Sequence, residues 1–353
     1  MKILIPILSF SSAGGMRVLS KLADAMIDQG HQVEFLASHL INDPYYPTKA
    51  EIITFRNAFT RIPVIRGLCN LIGIYSYLRV NKSSYDVVLS NYNLTAFPVY
   101  FSTLGTGKGY YYIQAYEPEF YNKRTLIGLI SYLLASLSYK LPLKKVVNSC
   151  IYKNFKLLSA EDVVEPGIDL DIFHYAPVEP IEGTIAIGCI GRKLKWKGTL
   201  EIIQAVNNVR EMTGINLELT VAFELPDGVK EEDYSFVHLV EPHGDERLSE
   251  FYRSVELFIA TGLIQDGAFH YPCIESMASG CVVISNYGPA NEDNSLFITS
   301  TTVDKIQTQI LRYLKFTKDD ISLIRKMGRA TSTKYSWGNT ARKMEYFFNK
   351  TNV

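Results

Sequence analysis

Short apolar segments alternate with amphipathic segments along the whole chain. Runs rich in β-branched and aromatic residues predict strands over 2–8, 33–38, 85–92, 109–115 and 144–149. After the first of these, residues 18–26 carry apolar side chains at the helical period, and Gly30 is placed to end that helix. Continuous apolar strands separated by helices indicate a parallel sheet that is covered on both faces.

The same pattern restarts after a break in the middle of the chain. Further strands are predicted over 184–192, 217–223, 236–240, 255–261, 281–285 and 295–299, and a helix is predicted from Thr199. Residues 166–183 contain three prolines and show no helical period, so we interpret them as a linker. We therefore predict an α/β protein of two Rossmann-like domains whose parallel sheets face each other across a cleft. The ligand is expected at the carboxyl ends of the strands.

Composition narrows the function classes. The chain has 353 residues, enough for two domains, and its 36 basic and 36 acidic residues give a net charge of zero, which argues against a nucleic-acid partner. Five scattered cysteines favour a reducing compartment, so we expect a cytoplasmic protein. No uninterrupted apolar run reaches the ~18–20 residues that a spanning helix needs, and the two stretches that come nearest, 62–80 and 125–141, are flanked by bases. They predict either packed helices or helices that lie in a membrane interface.

Two strand-to-helix loops are candidates for anion binding. Gly14 and Gly15 lie where the first strand meets its helix, and Arg17 adds a cation. Glycines there allow a ligand to approach the helix N-terminus, although a tight turn would need them as well. The second loop, GRKLKWKG over 191–198, contains Arg192 and Lys197. Its cations are suited to a diphosphate, and the alternative is a solvated basic loop.

A pair of carboxylates, Asp266 and Glu275, borders a predicted helix. Pro272 suits the first helical position, which puts Glu275 in the first turn of a helix that runs to Ser279 and ends at Gly280. A carboxylate at this place interacts favourably with the helix dipole. It could equally accept hydrogen bonds from the vicinal hydroxyls of a ribose.

Five segments in chain order resemble the retaining glycosyltransferases of family 4, which have the GT-B fold and use nucleotide-sugar donors. The segments are SSAGGMR, VVEPGIDLDIF, GRKLKWKG, YPCIESMASGCVVIS and YSWGNTARKMEYFF. The resemblance extends over nearly the whole chain. It implies an acceptor-binding domain over 1–165, completed by a crossover helix over 336–353, and a donor-binding domain over 184–335.

The resemblance also implies roles for individual residues. Arg192 and Lys197 would hold the donor diphosphate and stabilise the charge of the leaving group. Glu275 would bind the ribose of the nucleotide. Gly14 and Gly15 would face the donor phosphates and the acceptor.

The sequence departs from the family at its first glutamate, which is expected eight residues before Glu275. That position is Gly267, and the nearest acid is Asp266. Either Asp266 replaces the glutamate after a one-residue adjustment of the loop, or the acidic contact to the donor sugar is missing. In the second case the backbone groups of Ala268, Phe269 and His270 could still contact the sugar.

A second departure lies in the N-terminal half, where many members carry a His-Asp pair. Here the stretch is YYYIQAYEPEFY, and its Q-x-x-E-P pattern resembles relatives that build surface polysaccharides, including rhamnosyl transferases. Glu117 could assist the acceptor hydroxyl, or it could be an ordinary loop acid. Gln114 and the aromatic residues around Tyr116 are candidates for acceptor binding, and core packing is the alternative for the aromatic rings.

The sequence therefore predicts a retaining, metal-independent transferase that needs no cofactor. A nucleoside diphosphate sugar would be the donor and a glycan or lipid-linked molecule the acceptor, in surface polysaccharide assembly at the inner face of a membrane. Asp169 and Asp171 have the spacing of a metal site in another glycosyltransferase fold, but they follow Pro166-Gly167 and predict a turn. The alternatives are a nucleotide-sugar epimerase of similar fold and a non-catalytic partner subunit.

Overall fold

The computed structural model describes residues 1–11, 13–41, 43–57, 62–176 and 183–351. Residues 177–182 of the predicted linker, Ser12 of the glycine loop and the last two residues of the predicted crossover helix lie outside this description. The chain divides into two compact units: unit 1 comprises Met1–Gly167 and Trp337–Val353, and unit 2 comprises Ile168–Ser336.

Unit 1 contains seven strands and five helices in its described part. The strands are β1 (Lys2–Pro6), β2 (Gln32–Ser38), β3 (Glu51–Phe55), β4 (Val87–Ser90), β5 (Gly109–Ile113), β6 (Lys144–Val147) and β7 (Asp162–Val163). The helices are α1 (Gly14–Asp28), α2 (Pro63–Asn81), α3 (Asn93–Thr103), α4 (Leu126–Ser138) and α10 (Trp337–Thr351). The strands form one parallel sheet in the order β3-β2-β1-β4-β5-β6-β7.

The helices of unit 1 cover both faces of this sheet. Helices α2, α3 and α4 follow one another along one face, because each connects parallel strands in the same direction and such connections are right-handed. On the other face α10 packs against α1. The rings of Phe347 and Phe348 in α10 contact the buried ring of Tyr110 in β5, with centroids 5.8 and 4.9 Å away.

Unit 2 is a second parallel sheet with helices on both faces. Its strands are β8 (Thr184–Ile190), β9 (Asn216–Ala222), β10 (Val237–Val240), β11 (Leu257–Ala260), β12 (Val282–Ser285) and β13 (Leu296–Phe297), in the order β10-β9-β8-β11-β12-β13. Its helices are α5 (Thr199–Thr213), α6 (Gly244–Arg253), α7 (Tyr271–Ser279), α8 (Val303–Tyr313) and α9 (Lys318–Ser332). Two buried apolar clusters fill the unit: one contains residues of α5 and α8, and the other contains residues of α6 and α7.

The strand order of both units reverses beside the first strand of the sheet. In unit 1 the reversal falls between β1 and β4, because β2 and β3 continue the sheet on one side of β1 and β4 begins the other side. In unit 2 the reversal falls between β8 and β11. Loops that leave the carboxyl ends of such strands diverge and leave a crevice, which is where open α/β sheets bind ligands. We therefore expect ligand sites in the loops that follow β1, β4, β8 and β11.

Candidate functional site

The basic loop after β8 is held in a fixed conformation. Gly191 must lack a side chain, since a Cβ atom there would lie 2.0 Å from the carbonyl oxygen of Glu224. The backbone N–H of Arg192 donates to the hydroxyl of Thr199 at 3.2 Å, and its guanidinium lies 4.7 Å from the ring centre of Phe223. A short 3₁₀ turn over Lys195–Lys197 then leads to Gly198, which has a φ of 73° and is the residue directly before α5.

Two loops bring three cationic or potentially cationic side chains into one electrostatic cluster: Arg192 and Lys197 of this loop, and His270 from the loop before α7. Burial, and then the charge of Arg192, lower the pKa of Lys197. Burial lowers the pKa of His270 well below its usual range, and the charges of Lys197 and Arg192 lower it further. The described residues supply no carboxylate that raises either pKa. The charges that act on Lys197 and His270 are therefore positive, and a bound anion would offset them.

His270 is neutral in this environment and keeps one polar atom available. Its Nδ1 is buried and has no hydrogen-bond partner among the described residues. The ring lies against Tyr287 at a centroid distance of 4.5 Å, and the backbone N–H donates to the carbonyl of Gly288 at 3.0 Å. A buried ring nitrogen without a partner is unfavourable, so a polar ligand group that reached Nδ1 would satisfy it.

Residues 265–270 form a loop that is attached to the segment after β12. Gln265 and Gly267 both have positive φ angles, 56° and 82°, which turn the chain sharply on either side of Asp266. The side-chain amide of Asn286 donates to the carboxylate of Asp266. Asn286 is itself held by Gly262, to which it donates at 2.7 Å and from which it accepts at 3.1 Å. Asp266 is thus exposed but fixed in position.

Ala268 and Phe269 continue this loop toward α7. The backbone N–H of Gly288 donates to the carbonyl of Ala268 at 2.8 Å, and Phe269 forms an isolated parallel bridge with Gly288. The structure thus brings the four predicted donor-side residues of this segment, from Asp266 to His270, into one short ordered loop, and the charges of Arg192 and Lys197 act on the last of them.

Glu275 lies deeper than the sequence suggested. Helix α7 begins at Tyr271, one residue before Pro272, and no acidic residue lies in its first turn. The prediction that Glu275 lies in the first turn is therefore wrong, and an interaction with the helix dipole is a weaker explanation for it. Glu275 is only 1% exposed, and the hydroxyl of Tyr252 donates to its Oε2 at 3.0 Å. The predicted end of the helix at Ser279, followed by Gly280 with a φ of 95°, is confirmed.

Unit 1 has its own cavity, of about 560 Å³, at the carboxyl ends of β1, β4 and β5. Its lining is mainly apolar and aromatic. Gly15, Tyr92, Gln114, Glu117 and Tyr121 are among the lining residues. The side chain of Gln114 donates to the carbonyl of Gly15 at 3.1 Å and so joins the glycine loop to the segment after β5.

The other residues predicted near this cavity differ in their surroundings. A Cβ atom on Gly14 would meet nothing within 4 Å, so the protein itself does not require a glycine there. Arg17 is buried in α1 and is not part of the cavity lining. Tyr116 is not part of it either, because its ring packs on Phe155 and Tyr139, with centroids 4.2 and 5.8 Å away.

Glu117 is the most perturbed acid of the cavity. Burial raises its pKa to about 7, although hydrogen bonds from Asn93 oppose the shift. The side-chain amide of Asn93 donates to Oε2 of Glu117 and also to the hydroxyl of Tyr121, the latter at 3.0 Å. The hydroxyl of Tyr139 accepts from the backbone N–H of Glu117 at 3.0 Å. A carboxyl group that is half ionised near neutral pH and faces a cavity can exchange a proton with a bound hydroxyl.

Two asparagines, one in each unit, orient candidate site residues and were not predicted from the sequence. Asn93 orients Glu117, and Asn286 orients Asp266. A signal for the first existed, because SNYN over 90–93 puts polar residues directly after a buried strand. Asn286 likewise follows β12 directly, in SNYG over 285–288.

The described residues contain no group of three or more His, Cys, Asp or Glu side chains that could hold a metal ion. Asp169 and Asp171 form the predicted turn, in which the N–H of Asp171 donates to the carboxylate of Asp169 at 3.2 Å. In the part of the chain that the structure describes, no helix combines the length and the hydropathy needed to cross a bilayer.

Comparison with known proteins identifies the fold. Residues 184–315 match the family model described as "Glycosyl transferases group 1", and a search of curated proteins gives no match. Similar solved structures include a glycosyltransferase from Rickettsia africae ESF-5 (16% identity, TM-score 0.70, covering 99% of this chain and 98% of that one). Anabaena HepE, solved with UDP and glucose, has 14% identity and a TM-score of 0.71, covering 99% of both chains.

A third similar structure is WaaG, a glycosyltransferase involved in lipopolysaccharide biosynthesis, with 15% identity and a TM-score of 0.70, covering 97% of this chain and 98% of that one. These identities are too low to show more than a common fold. The predicted GT-B fold is confirmed, and the family match over the second unit supports a glycosyltransferase.

Proposed function

We propose that this GT-B chain, whose residues 184–315 match the glycosyl transferases group 1 family, is a retaining glycosyltransferase. It transfers a sugar from a nucleoside diphosphate sugar to a glycan or a lipid-linked acceptor. The observation that carries the proposal is the pair of cations Arg192 and Lys197 in the loop after β8, whose charges act on neutral His270 in the loop after β11.

The cluster is suited to the diphosphate of the donor. Arg192 can bind two phosphate oxygens at once, and Lys197 acts as a compact charge. When the bond between the sugar C1 and the phosphate oxygen breaks, its electron pair remains on the diphosphate, and the two cations stabilise the charge that develops. Because both cations are partly buried, their effect is stronger than it would be in bulk water.

The remaining donor-side residues recognise the rest of the molecule. Glu275, bonded to Tyr252, accepts hydrogen bonds from the ribose hydroxyls. Asp266, fixed by Asn286, replaces the missing family glutamate and accepts from the donor sugar, and the backbone of Ala268 and Phe269 contributes further contacts. Gly14 and Gly15 leave the N-terminus of α1 accessible to phosphate or acceptor.

The cavity of unit 1 holds the acceptor. Glu117 is bonded to Asn93 and in its ionised form accepts a hydrogen bond from the attacking hydroxyl, while Gln114 orients the acceptor. Tyr116 acts indirectly through its packing on Tyr139, and Arg17 adds positive charge to α1. The acceptor oxygen forms its new bond on the face from which the diphosphate leaves, and its proton passes to a leaving phosphate oxygen. The configuration at C1 is thereby retained.

The reaction requires no metal and no cofactor, because the protein supplies the cations that a divalent ion would otherwise provide. We place the enzyme in surface polysaccharide assembly, in the cytoplasm and in peripheral contact with the inner face of the membrane. The resemblance of its Q-x-x-E-P segment to polysaccharide-building relatives supports this role.

A panel of nucleoside diphosphates and nucleotide sugars, scored by thermal shift and then by product formation, tests the proposal. A ligand at one hundred times its Kd stabilises the folded state by about 2.7 kcal/mol, which is readily detected. Arg192→Ala should abolish the shift, whereas Lys193→Ala, an exposed neighbour, should preserve it. Equal shifts for both variants would exclude the cluster as the diphosphate site.

The products distinguish the reaction class. A transferase releases nucleoside diphosphate only when acceptor is present, whereas an epimerase converts the donor alone and a non-catalytic subunit does neither. NMR of the product determines whether the configuration at C1 is retained. Activity that disappears with a chelator and returns with a divalent ion would contradict the metal-independent mechanism.

A further inference from the structure

Helix α4 presents its large apolar side chains to the outside of unit 1. Its buried residues are the small Gly128, Ala135 and Ser138. Six leucine and isoleucine residues of the helix are exposed: Leu126, Ile127, Leu129, Ile130, Leu133 and Leu137. Leu126 and Ile127 are 74% and 79% exposed. An amphipathic helix of a water-soluble domain has the reverse arrangement, so this helix face indicates a partner.

The apolar surface continues over the neighbouring helices. Helix α3 packs against both α2 and α4. Phe101 at the end of α3 and Leu104 directly after it are 59% and 60% exposed. On α2, Val64, Leu68 and Ile72 recur at four-residue intervals and are 55–81% exposed. We call the exposed apolar side chains of α2, α3 and α4, with Leu104, the α2–α4 face.

This face lies in strongly basic sequence, although the whole chain is neutral. Residues 62–85 contain three bases and no acid, and residues 122–160 contain seven bases and no acid. Among these bases, Arg66, Arg79, Lys123, Arg124 and Lys140 are exposed at α2 or at the two ends of α4. The positive charge is therefore concentrated around the apolar surface.

We propose that the α2–α4 face docks on a lipid bilayer that contains anionic lipid. The leucines and isoleucines of α4 would enter the acyl boundary, and the surrounding bases would contact the phosphates of the headgroups. Helix α4 has 13 residues and is about 20 Å long, so it can lie in the interface but cannot cross a bilayer. A second copy of the chain is a poorer occupant, because a symmetric contact would bring two predominantly basic surfaces together, although Glu119 in the turn that packs on α4 is an exposed acid.

The proposal specifies a surface for the peripheral location proposed above and is independent of sugar transfer. The test is therefore made without donor or acceptor. The full chain is sedimented with vesicles of one part phosphatidylglycerol and two parts phosphatidylcholine, and with vesicles of phosphatidylcholine alone. We expect binding to the anionic vesicles that weakens as salt increases.

Two variants separate the apolar and the charged contributions. Leu126→Ser with Ile127→Ser should lower the partition coefficient at least about tenfold, because both side chains are largely exposed and leave the core intact. Arg124→Gln with Lys140→Gln should reduce the preference for anionic vesicles, because Arg66, Arg79 and Lys123 remain. Leu323→Ser is the matched control, since Leu323 is 61% exposed on α9 of unit 2. It should bind as the unmodified protein does.

Each other result would refute the proposal. It is refuted if the unmodified protein does not sediment with anionic vesicles, or if the double serine variant binds as strongly as the Leu323→Ser control. If light scattering shows a dimer that the double serine variant abolishes, and vesicles are not bound, the face is an interface between copies. Sugar transfer to a soluble acceptor in detergent-free solution is measured separately, so a failure of docking and a failure of the proposed activity remain distinguishable.

Discussion

Replacing Glu117 by Gln should make the protein more stable at alkaline pH and leave its stability unchanged at acidic pH. Burial raises the pKa of this carboxyl from 4.5 to about 7 in the folded state. Well below pH 4.5 the group is protonated in both the folded and the unfolded chain and contributes no pH dependence. Between these values the unfolded chain loses its proton while the folded chain keeps it, so the free energy of unfolding falls as the pH rises.

The size of the effect follows from the two pKa values. A difference of about 2.5 pH units corresponds to about 3 kcal/mol, fully developed above pH 8. The glutamine side chain in Glu117→Gln would keep the shape of the original and an oxygen that accepts from Asn93, but it would have no charge to desolvate. The variant should therefore gain up to about 3 kcal/mol over the unmodified protein at pH 8.5 and only about 0.4 kcal/mol at pH 4.5.

Urea unfolding at a series of pH values measures this difference, with a probe that reports on unit 1. Glu119→Gln is the matched control, because Glu119 is exposed two residues further along the same turn. It should show no comparable pH-dependent gain. A difference between Glu117→Gln and the unmodified protein that is constant from pH 4.5 to 8.5 would refute the buried, proton-retaining carboxyl. The same variant should also remove the acidic limb of the pH profile of kcat/KM.

Three further predictions concern the donor side. Lys197→Met should raise the melting temperature of the ligand-free protein, because it removes the repulsion between Lys197 and Arg192, and it should reduce turnover about a hundredfold. Lys195→Met, at an exposed position of the same loop, should change neither quantity. Unchanged turnover in Lys197→Met would contradict the role of Lys197. Tyr252→Phe should cost about 1–3 kcal/mol of stability and weaken nucleotide binding, since it removes a donor to buried Glu275, and equal affinities by calorimetry would argue against a ribose contact. Asp266→Asn should lower kcat/KM for the donor without lowering the melting temperature, because Asp266 is exposed, and unchanged kinetics would show that it does not replace the family glutamate.

Local sequence was sufficient for those elements whose residues carry their own signals. Continuous apolar runs located the buried central strands. Pro272 and Gly280 indicated the helix α7 that lies between these two residues. The two edge strands of the unit 1 sheet, β3 and β7, were not predicted. All residues of strand β3 except Phe55 are exposed or half-exposed, and β7 has only two residues, so neither has the continuous apolar run of a buried strand. The start of α7 was misjudged by one residue, which moved Glu275 out of the first turn.

The partners of the site residues required the tertiary structure. Asn93 reaches Glu117 across 24 positions of the chain, and Asn286 reaches Asp266 across 20. Such contacts form only because parallel strands bring the loops at their carboxyl ends to one edge of a sheet. No local pattern encodes which loop residue then meets which.

The sequence by itself thus determined the two α/β sheets and the basic strand-to-helix loop, because hydrophobic period and glycine position act over a few neighbouring residues. It left helix α4 undecided between a packed helix and an interfacial one. Only the fold showed that Gly128, Ala135 and Ser138 face inward, with the leucines outward. The fold also brings His270 close enough to Lys197 for the lysine charge to lower the pKa of the histidine. It buries Glu117 and so raises the pKa of that carboxyl to about 7. Burial and charge proximity are properties of the folded chain, and these set the chemistry that residue identity only makes available.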